Sequence, residues 1–227
     1  QRDSTNRGYT RNTGDNRNWS TSGFLLFRQK LGKPGRTISA HIYYNFSNNE
    51  LFGYNQSLTS VKDTTGHWGD EVVNQRFDQN SRSANVNGRV VYTEPITKHF
   101  FFEANYQYGW NRNISYKNTF NSGSDVIDNG MLIFDPAGEL QDSRYSNSIL
   151  NRALTQKGGV NFSYQKEKFR AQLGASINPT DTYNETTGHD AYRSKVINWS
   201  PQAMLNYEFT ENSNIRFFYS CCYYFFC

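Results

Sequence analysis

The chain has 227 residues, a formal net charge of +4 and a mean hydropathy of −0.82. Aromatic residues make up 16% of it, which is more than a disordered segment carries, so its rings must be buried in protein or lipid. The longest apolar runs before residue 221, such as Phe24–Phe27 and Met131–Phe134, contain four residues. A spanning helix needs about 20 apolar residues. Membrane helices are therefore excluded. The Lys and Arg residues are scattered rather than clustered, which argues against a nucleic-acid partner.

Alternation of apolar and polar residues with a period of two predicts β-strands along most of the chain. It recurs in segments of roughly ten residues, the length that a tilted strand needs to cross a bilayer. The clearest segment is 100–110, and the face of the first strand is ambiguous because Phe24 and Leu26 compete with Leu25 and Phe27. In chain order, the predicted strands are 19–30, 36–47, 83–93, 100–110, 158–165, 169–178, 203–209 and 215–226.

Each predicted strand has one apolar side, which we expect to contact lipid tails because successive strand side chains point to opposite faces. The residues predicted to face lipid are Ile38, Ala40, Ile42, Tyr44, Val86, Val90, Phe102, Ala104, Tyr106, Phe162, Ala171, Leu173, Ala175, Leu205 and Tyr207.

The connections between the predicted strands alternate between short and long. The short ones are 31–35, 94–98, 166–168 and 210–214, and the long ones are 51–80, 111–155 and 179–195. Short periplasmic turns and long outer loops are typical of an antiparallel, up-and-down transmembrane β-barrel. Aromatic residues near the strand ends favour interfacial girdles, although strands are rich in aromatics in any environment.

In Leu25–Thr37, a strand, a Lys-x-Gly-Arg-Thr turn and a second strand follow one another. This segment and several later ones resemble the barrels of TonB-dependent receptors from Bacteroidota. The later segments are 142–147, 198–209 and 214–217, so the resemblance extends over nearly the whole chain up to Ser220.

The resemblance implies that residues 1–220 are part of a barrel of about 22 strands, closed by a plug domain. It also implies location in the bacterial outer membrane and import of a siderophore, vitamin, glycan or peptide. The partners that it implies are outer-membrane lipid, the plug and the TonB complex in the full-length protein, and a surface lipoprotein. We therefore interpret the chain as about eight strands of a larger receptor barrel.

Residues 221–227 differ from the continuation that this resemblance leads us to expect. All three cysteines lie here, at Cys221, Cys222 and Cys227, so cysteines give the rest of the chain no disulfide or thiolate framework. A frameshifted or chimeric end is our hypothesis for this tail. The polar N-terminal residues contain no hydrophobic segment, so we expect any secretion signal to lie outside this sequence.

No pattern in the sequence indicates an enzyme, a cofactor or a metal centre. His41 lies near Ser39 on the predicted lumen side, but the nucleophile elbow of serine hydrolases is absent. The string Thr-Thr-Gly-His occurs at 64–67 and 186–189 near acidic residues; this is ordinary turn chemistry more often than a Ca²⁺ site. The candidates for ligand contact are Arg89 and Glu103 in the lumen and the presumed loop aromatics Tyr54, Trp68, Tyr116 and Tyr183.

Two other functions fit the same pattern. One is an outer-membrane barrel without transport, such as an adhesin or a structural anchor. The other is a soluble β-sandwich binding module, in which the apolar faces of two sheets pack against each other. Coordinates with Ile42, Tyr106 and Leu173 sealed between two sheets would favour the sandwich.

Overall fold

The computed structural model describes residues 6–62, 65–210 and 213–226. No helix in these ranges has the length and apolarity needed to cross a membrane. The described residues form twelve strands: β1 (Asn6–Lys30), β2 (Thr37–Lys62), β3 (Trp68–Pro95), β4 (Phe100–Asn121), β5 (Asp125–Asp128), β6 (Met131–Phe134), β7 (Leu140–Gln141), β8 (Asn147–Lys166), β9 (Phe169–Thr186), β10 (His189–Thr210), β11 (Ser213–Ser220) and β12 (Tyr223–Phe226).

Eight of these strands form one antiparallel sheet in the order β1-β2-β3-β4-β8-β9-β10-β11. Each strand pairs with the strand before and after it in this series, as the up-and-down prediction requires. Two short strands extend the sheet, with β7 on β4 and β12 on β10, while β5 and β6 form a separate hairpin. The sheet is not closed, so β1 and β11 are its edges. The all-β, antiparallel prediction with about eight strands is confirmed.

The described strands form a single layer, so the β-sandwich alternative is wrong. The three residues that would be sealed between two sheets are instead exposed to 46% at Ile42, 48% at Tyr106 and 65% at Leu173. Among the described residues, the only large hydrophobic side chain that is buried is Leu132, at 3% exposure, and it lies in the β5–β6 hairpin. The sheet therefore has no hydrophobic core of its own.

The predicted long loops are mostly wrong, because the strands continue through them. Strands β2 and β3 contain 26 and 28 residues, more than twice the ~9 to 11 that cross a bilayer, and they pair continuously up to Lys62 and Trp68. Strands β9 and β10 likewise extend to a tight turn at Thr187 and Gly188. Only residues 122–146 form a true long connection, and this connection contains β5, β6 and β7.

The repeated Thr-Thr-Gly-His string marks two hairpin tips. Gly66 and Gly188 have φ angles of +90° and +78°, a left-handed conformation that glycine adopts without steric cost. Asp63 and Thr64 lie outside the described residues. In the part of the chain that the structure describes, no three His, Cys, Asp or Glu side chains cluster closely enough to hold a metal ion. Gly66 and Gly188 of the repeat thus take part in turn formation.

Strands β11 and β12 lie along β10 in one continuous register. Gln202 is opposite Ser220, and Trp199 is opposite Tyr223. The interruption at 221–222 faces Pro201, which accepts a hydrogen bond from the Cys221 N–H at 3.3 Å but has no N–H to return one. The backbone of 221–226 therefore continues the sheet, while the origin of this tail stays a hypothesis.

Candidate membrane interface and lumen wall

The strand register divides the sheet into two faces with different chemistry. Residues that are directly opposite each other in paired strands point to the same side, so Ala40, Val90, Tyr106 and Gly158 share one face. Every residue predicted to face lipid lies on this face, which we call the apolar face. Contact with lipid itself stays a prediction.

Below the β5–β6 hairpin, many large side chains of the apolar face are exposed, and no second layer of described residues covers them. Val90 is 42% exposed, Phe162 41%, Leu205 46% and Tyr207 42%. A continuous exposed surface of this kind is unstable in water and marks an interaction surface. We call it the apolar band, and it consists of residues 21–27, 38–46, 84–92, 100–110, 154–164, 169–177, 197–209 and 215–219 on that face.

The register also shows which side chains of the first strand lie on the apolar face. Leu25 pairs with Ile42 and Phe27 pairs with Ala40, so both belong to the apolar face. Phe24 therefore points to the opposite, polar face, where its ring centroid lies 6.3 Å from that of His41. The polar face thus carries a few exposed apolar groups near the β1 edge.

An ion cluster lies below the apolar band, at the end of the sheet with the short turns. Arg36 forms two bonds to the Glu94 carboxylate, Nε to Oε2 at 2.6 Å and Nη2 to Oε1 at 2.9 Å, and Lys33 adds a contact of 3.2 Å to Oε1. The Tyr92 hydroxyl donates to Oε2 at 2.6 Å. The bonds from Arg36 and then Tyr92 lower the pKa of Glu94 from 4.5 to about 2. The cluster joins the β1–β2 turn to the end of β3.

Above the apolar band, towards the long hairpins, the same face carries four arginines together with carboxylates such as Glu50 and Asp181. Arg112 of β4 is directly opposite Arg152 of β8, and in the next strands Tyr183 and Arg193 occupy the same row. We call Arg82, Arg112, Arg152 and Arg193 the arginine belt. None of these arginines was predicted as a site residue, although Arg82 directly precedes the predicted strand 83–93 and Arg112 lies two residues after the predicted strand 100–110. Arg193 is bonded to Asp181, with 2.9 Å between Nε and Oδ1, and this bond lowers the pKa of Asp181.

The polar face is a wall of amides and hydroxyls with a few charges. Asn161 links two strands, because it donates to Glu103 Oε1 at 3.4 Å and accepts from Gln202 Nε2 at 2.8 Å. Arg89, the other lumen candidate, lies opposite Gln107, four residues along β4 from Glu103. The structure therefore places Arg89 and Glu103 on the same face without bringing them together.

The aromatic candidates lie on strands, so their assignment to loops is wrong. Tyr54 packs against Phe52 and Phe134, at 5.3 and 5.4 Å between ring centroids. Trp68 begins β3 and lies 4.7 Å from the Arg7 guanidinium. Tyr116 is in β4. Tyr183 is in β9, and its ring centroid lies 5.9 Å from the Arg152 guanidinium carbon. All four candidates project from the apolar face above the band, on the side opposite to Arg89 and Glu103.

The β5–β6 hairpin packs on the upper part of β2 and β3. Gln56 Nε2 donates to the Leu132 carbonyl at 2.9 Å, and Asn74 Nδ2 donates to the Ile133 carbonyl at 2.9 Å. The Leu132 N–H donates to the Tyr9 hydroxyl. The Asn129-Gly130 pair at its turn is a strong hairpin signal, and this signal would have located the hairpin within the predicted 111–155 loop.

A family model described as the outer membrane protein beta-barrel family matches residues 29–222 of the chain. Neither a curated protein nor a solved structure matches the chain.

Proposed function

The chain belongs to the outer membrane protein beta-barrel family, and from this premise we propose that it forms part of the barrel wall of a TonB-dependent receptor that imports a nutrient. The protein is located in the bacterial outer membrane. The apolar band lies in the hydrocarbon layer, the short turns face the periplasm and the long hairpins face outwards, as in other outer-membrane barrels. No enzymatic step is part of this proposal.

The proposal rests on two features of the sheet. Its edge strands β1 and β11 are unpaired on their outer sides, and one of its faces is polar. In hydrocarbon, each unpaired backbone group costs several kcal/mol, so β1 and β11 need partner strands. The proposed partners are further strands of a wider barrel. A barrel of about 22 strands has a lumen that a plug must fill, and the amide-rich polar face offers hydrogen bonds to such a plug or to a passing solute.

Uptake by living cells tests this function. A strain without the native gene should lose uptake of one labelled compound from a panel of siderophores, vitamins, glycans and peptides. Uptake in the parent strain should stop when a protonophore removes the proton gradient, because import by such receptors uses energy from the inner membrane. Uptake that continues without the gradient would contradict TonB coupling, and unchanged uptake of the whole panel would contradict import.

A second candidate is a barrel that binds targets at the cell surface without transport. It is favoured by the length of β2 and β3, which carry paired backbone well beyond the apolar band, and by the folded β5–β6 hairpin at that end. The complete native gene distinguishes the two functions. A receptor requires a plug domain and a TonB-contacting segment upstream, whereas an adhesin or anchor requires neither.

A further inference from the structure

The upper edge of the apolar band contains a depression with an amphipathic lining. It has a volume of about 520 Å³, and its lining includes Trp19, Phe46, Arg82, Trp110, Arg112 and Ile114. These side chains come from four adjacent strands and all lie on the apolar face. The depression thus joins an aromatic surface at membrane level to two guanidinium groups just above it.

The two arginines form no ion pair with the described residues, although Asn80 links Arg82 to Glu50 by donating to Glu50 Oε1 at 3.4 Å. No carboxylate of the described residues lies within 4.0 Å of Arg82, Arg112 or Arg152. Arg82 donates only to Asn80 Oδ1, at 3.2 Å. Arg112 lies directly opposite Arg152, and like charges in that position destabilise a sheet.

Arg112 also has an unsatisfied donor. Its Nε is buried and has no hydrogen-bond partner, although a buried donor without an acceptor costs free energy. An anion between Arg82 and Arg112 would offer acceptors to the two guanidinium groups, because the two side chains project from diagonal positions about 7 to 8 Å apart on neighbouring strands. Guanidinium groups bind phosphate oxygens in a bidentate manner.

We propose that this depression binds an anionic lipid of the outer leaflet, with the lipid phosphate between Arg82 and Arg112 and its acyl chains along Trp19, Phe46 and Trp110. The position on the long-hairpin side of the band assigns the site to the outer leaflet. The outer leaflet of bacterial outer membranes consists of phosphorylated glycolipid, which has the required charge and chains. This inference goes beyond nutrient import and does not depend on it.

The test uses the whole protein encoded by the native gene, purified from outer membranes in mild detergent and stripped of lipid. Native mass spectrometry then measures binding of lipid A. The double variant Arg82→Gln/Arg112→Gln should bind at least about tenfold more weakly, because charged hydrogen bonds are lost. The matched control Arg89→Gln removes a charge from the same strand on the polar face, and its affinity should be unchanged.

Two further arms identify the ligand. Lipid A without its phosphates should bind as weakly to the normal protein as intact lipid A binds to the double variant. Millimolar inorganic phosphate should not displace intact lipid A, since it lacks acyl chains. Full displacement would overturn the lipid assignment in favour of a free-anion site.

Folding is checked by the shift in gel mobility that folded barrels show on heating. If the double variant does not fold, the single variant Arg82→Gln provides the test. The Arg82 side chain is exposed, so the fold should tolerate its replacement. Lipid A binding by this variant should be several-fold weaker than that by the normal protein. Equal lipid A binding by a folded Arg82 variant and the normal protein would overturn the proposal.

Discussion

Leu173 lies on the apolar face of β9 with 65% of its surface exposed, while its neighbour Gln172 projects from the polar face. We expect Leu173→Arg to lower the free energy of unfolding in lipid by about 2 to 4 kcal/mol if the residue is near the bilayer midplane, and by about 0 to 1 kcal/mol near an interface. The reason is the cost of placing a guanidinium in hydrocarbon. Urea titration of the protein in lipid vesicles measures this change.

Gln172→Arg is the matched control for the apolar face, because it places the same charge one residue away on the polar face, where we expect water rather than lipid. It should cost far less than Leu173→Arg. Asn105→Lys on the polar face of β4 should likewise have a small effect. The reverse order of stabilities would show that the two faces of the sheet have been assigned the wrong way round.

The Glu94 cluster makes stability depend on pH in the acid range. Because the pKa of Glu94 is lowered from 4.5 to about 2 in the folded protein, its ion pairs stabilise the fold fully above pH 4.5. This contribution is lost as the pH falls from about 4.5 to about 2. Glu94→Gln should therefore reduce stability at pH 7 and flatten the pH dependence within this window, as measured by urea titrations at stepwise pH values.

Glu167→Gln is the control for these urea titrations. Glu167 also lies in a short turn, between β8 and β9, but it has no ion pair within 4.0 Å among the described residues. This variant should leave the pH dependence unchanged. If Glu94→Gln retained the normal slope between pH 4.5 and 2, the cluster would have no role in acid stability.

At the scale of single elements, the β5–β6 hairpin is attached by one buried side chain and a few hydrogen bonds. Leu132→Ala should weaken this attachment by about 2 kcal/mol or more, because it leaves a cavity at the only large buried hydrophobic residue described. Proteases added to whole cells should then cut residues 122–146 faster, since local opening exposes the connection. The membrane part should keep its stability.

Ile133→Ala provides the comparison within the same hairpin, because Ile133 is 47% exposed and its loss should leave the cutting rate nearly unchanged. Equal cutting rates for both variants would mean that the packing of Leu132 does not hold the hairpin on β2 and β3.

The strands were predictable within the apolar band, where the two faces differ in polarity, and unpredictable beyond it. The period-two pattern of residues 100–110 reflects this difference. Above the band both faces carry many polar residues, so β2 loses the pattern after Phe46 although its backbone pairing with β3 continues. Hydrophobic periodicity depends on the polarity of the two faces rather than on backbone hydrogen bonding, and this is why the extended hairpins fall in segments predicted as loops.

The candidate sites show the same limit. Alternation within the predicted strands placed Arg89 and Glu103 on the polar face, in agreement with the register. The arginine belt and the amphipathic depression depend on which residues lie opposite each other in neighbouring strands, such as Arg112 and Arg152. A single sequence carries this register only weakly, because it is set by turn geometry and by pairing along the whole strand.

At the scale of the whole molecule, the unpaired edges determine how the 227-residue chain behaves alone. Strand β1 contains 25 residues, and about half of its backbone groups point away from β2. In hydrocarbon these groups need partners, so we expect the isolated chain to fold poorly in detergent or to associate through its edges. Amide hydrogen exchange measures this: β1 should exchange much faster than the central strand β4 in the isolated chain.

In the protein encoded by the complete native gene, further strands would cover both edges, so β1 should become as protected as β4. The comparison separates a wide barrel from a narrow one, because closure of β1 onto β11 within a single copy would produce an eight-stranded barrel. Equal protection of β1 and β4 in a monomeric isolated chain would demonstrate that closure. Such a barrel has an interior filled by side chains, which leaves no lumen for a plug and therefore no route for receptor-type import.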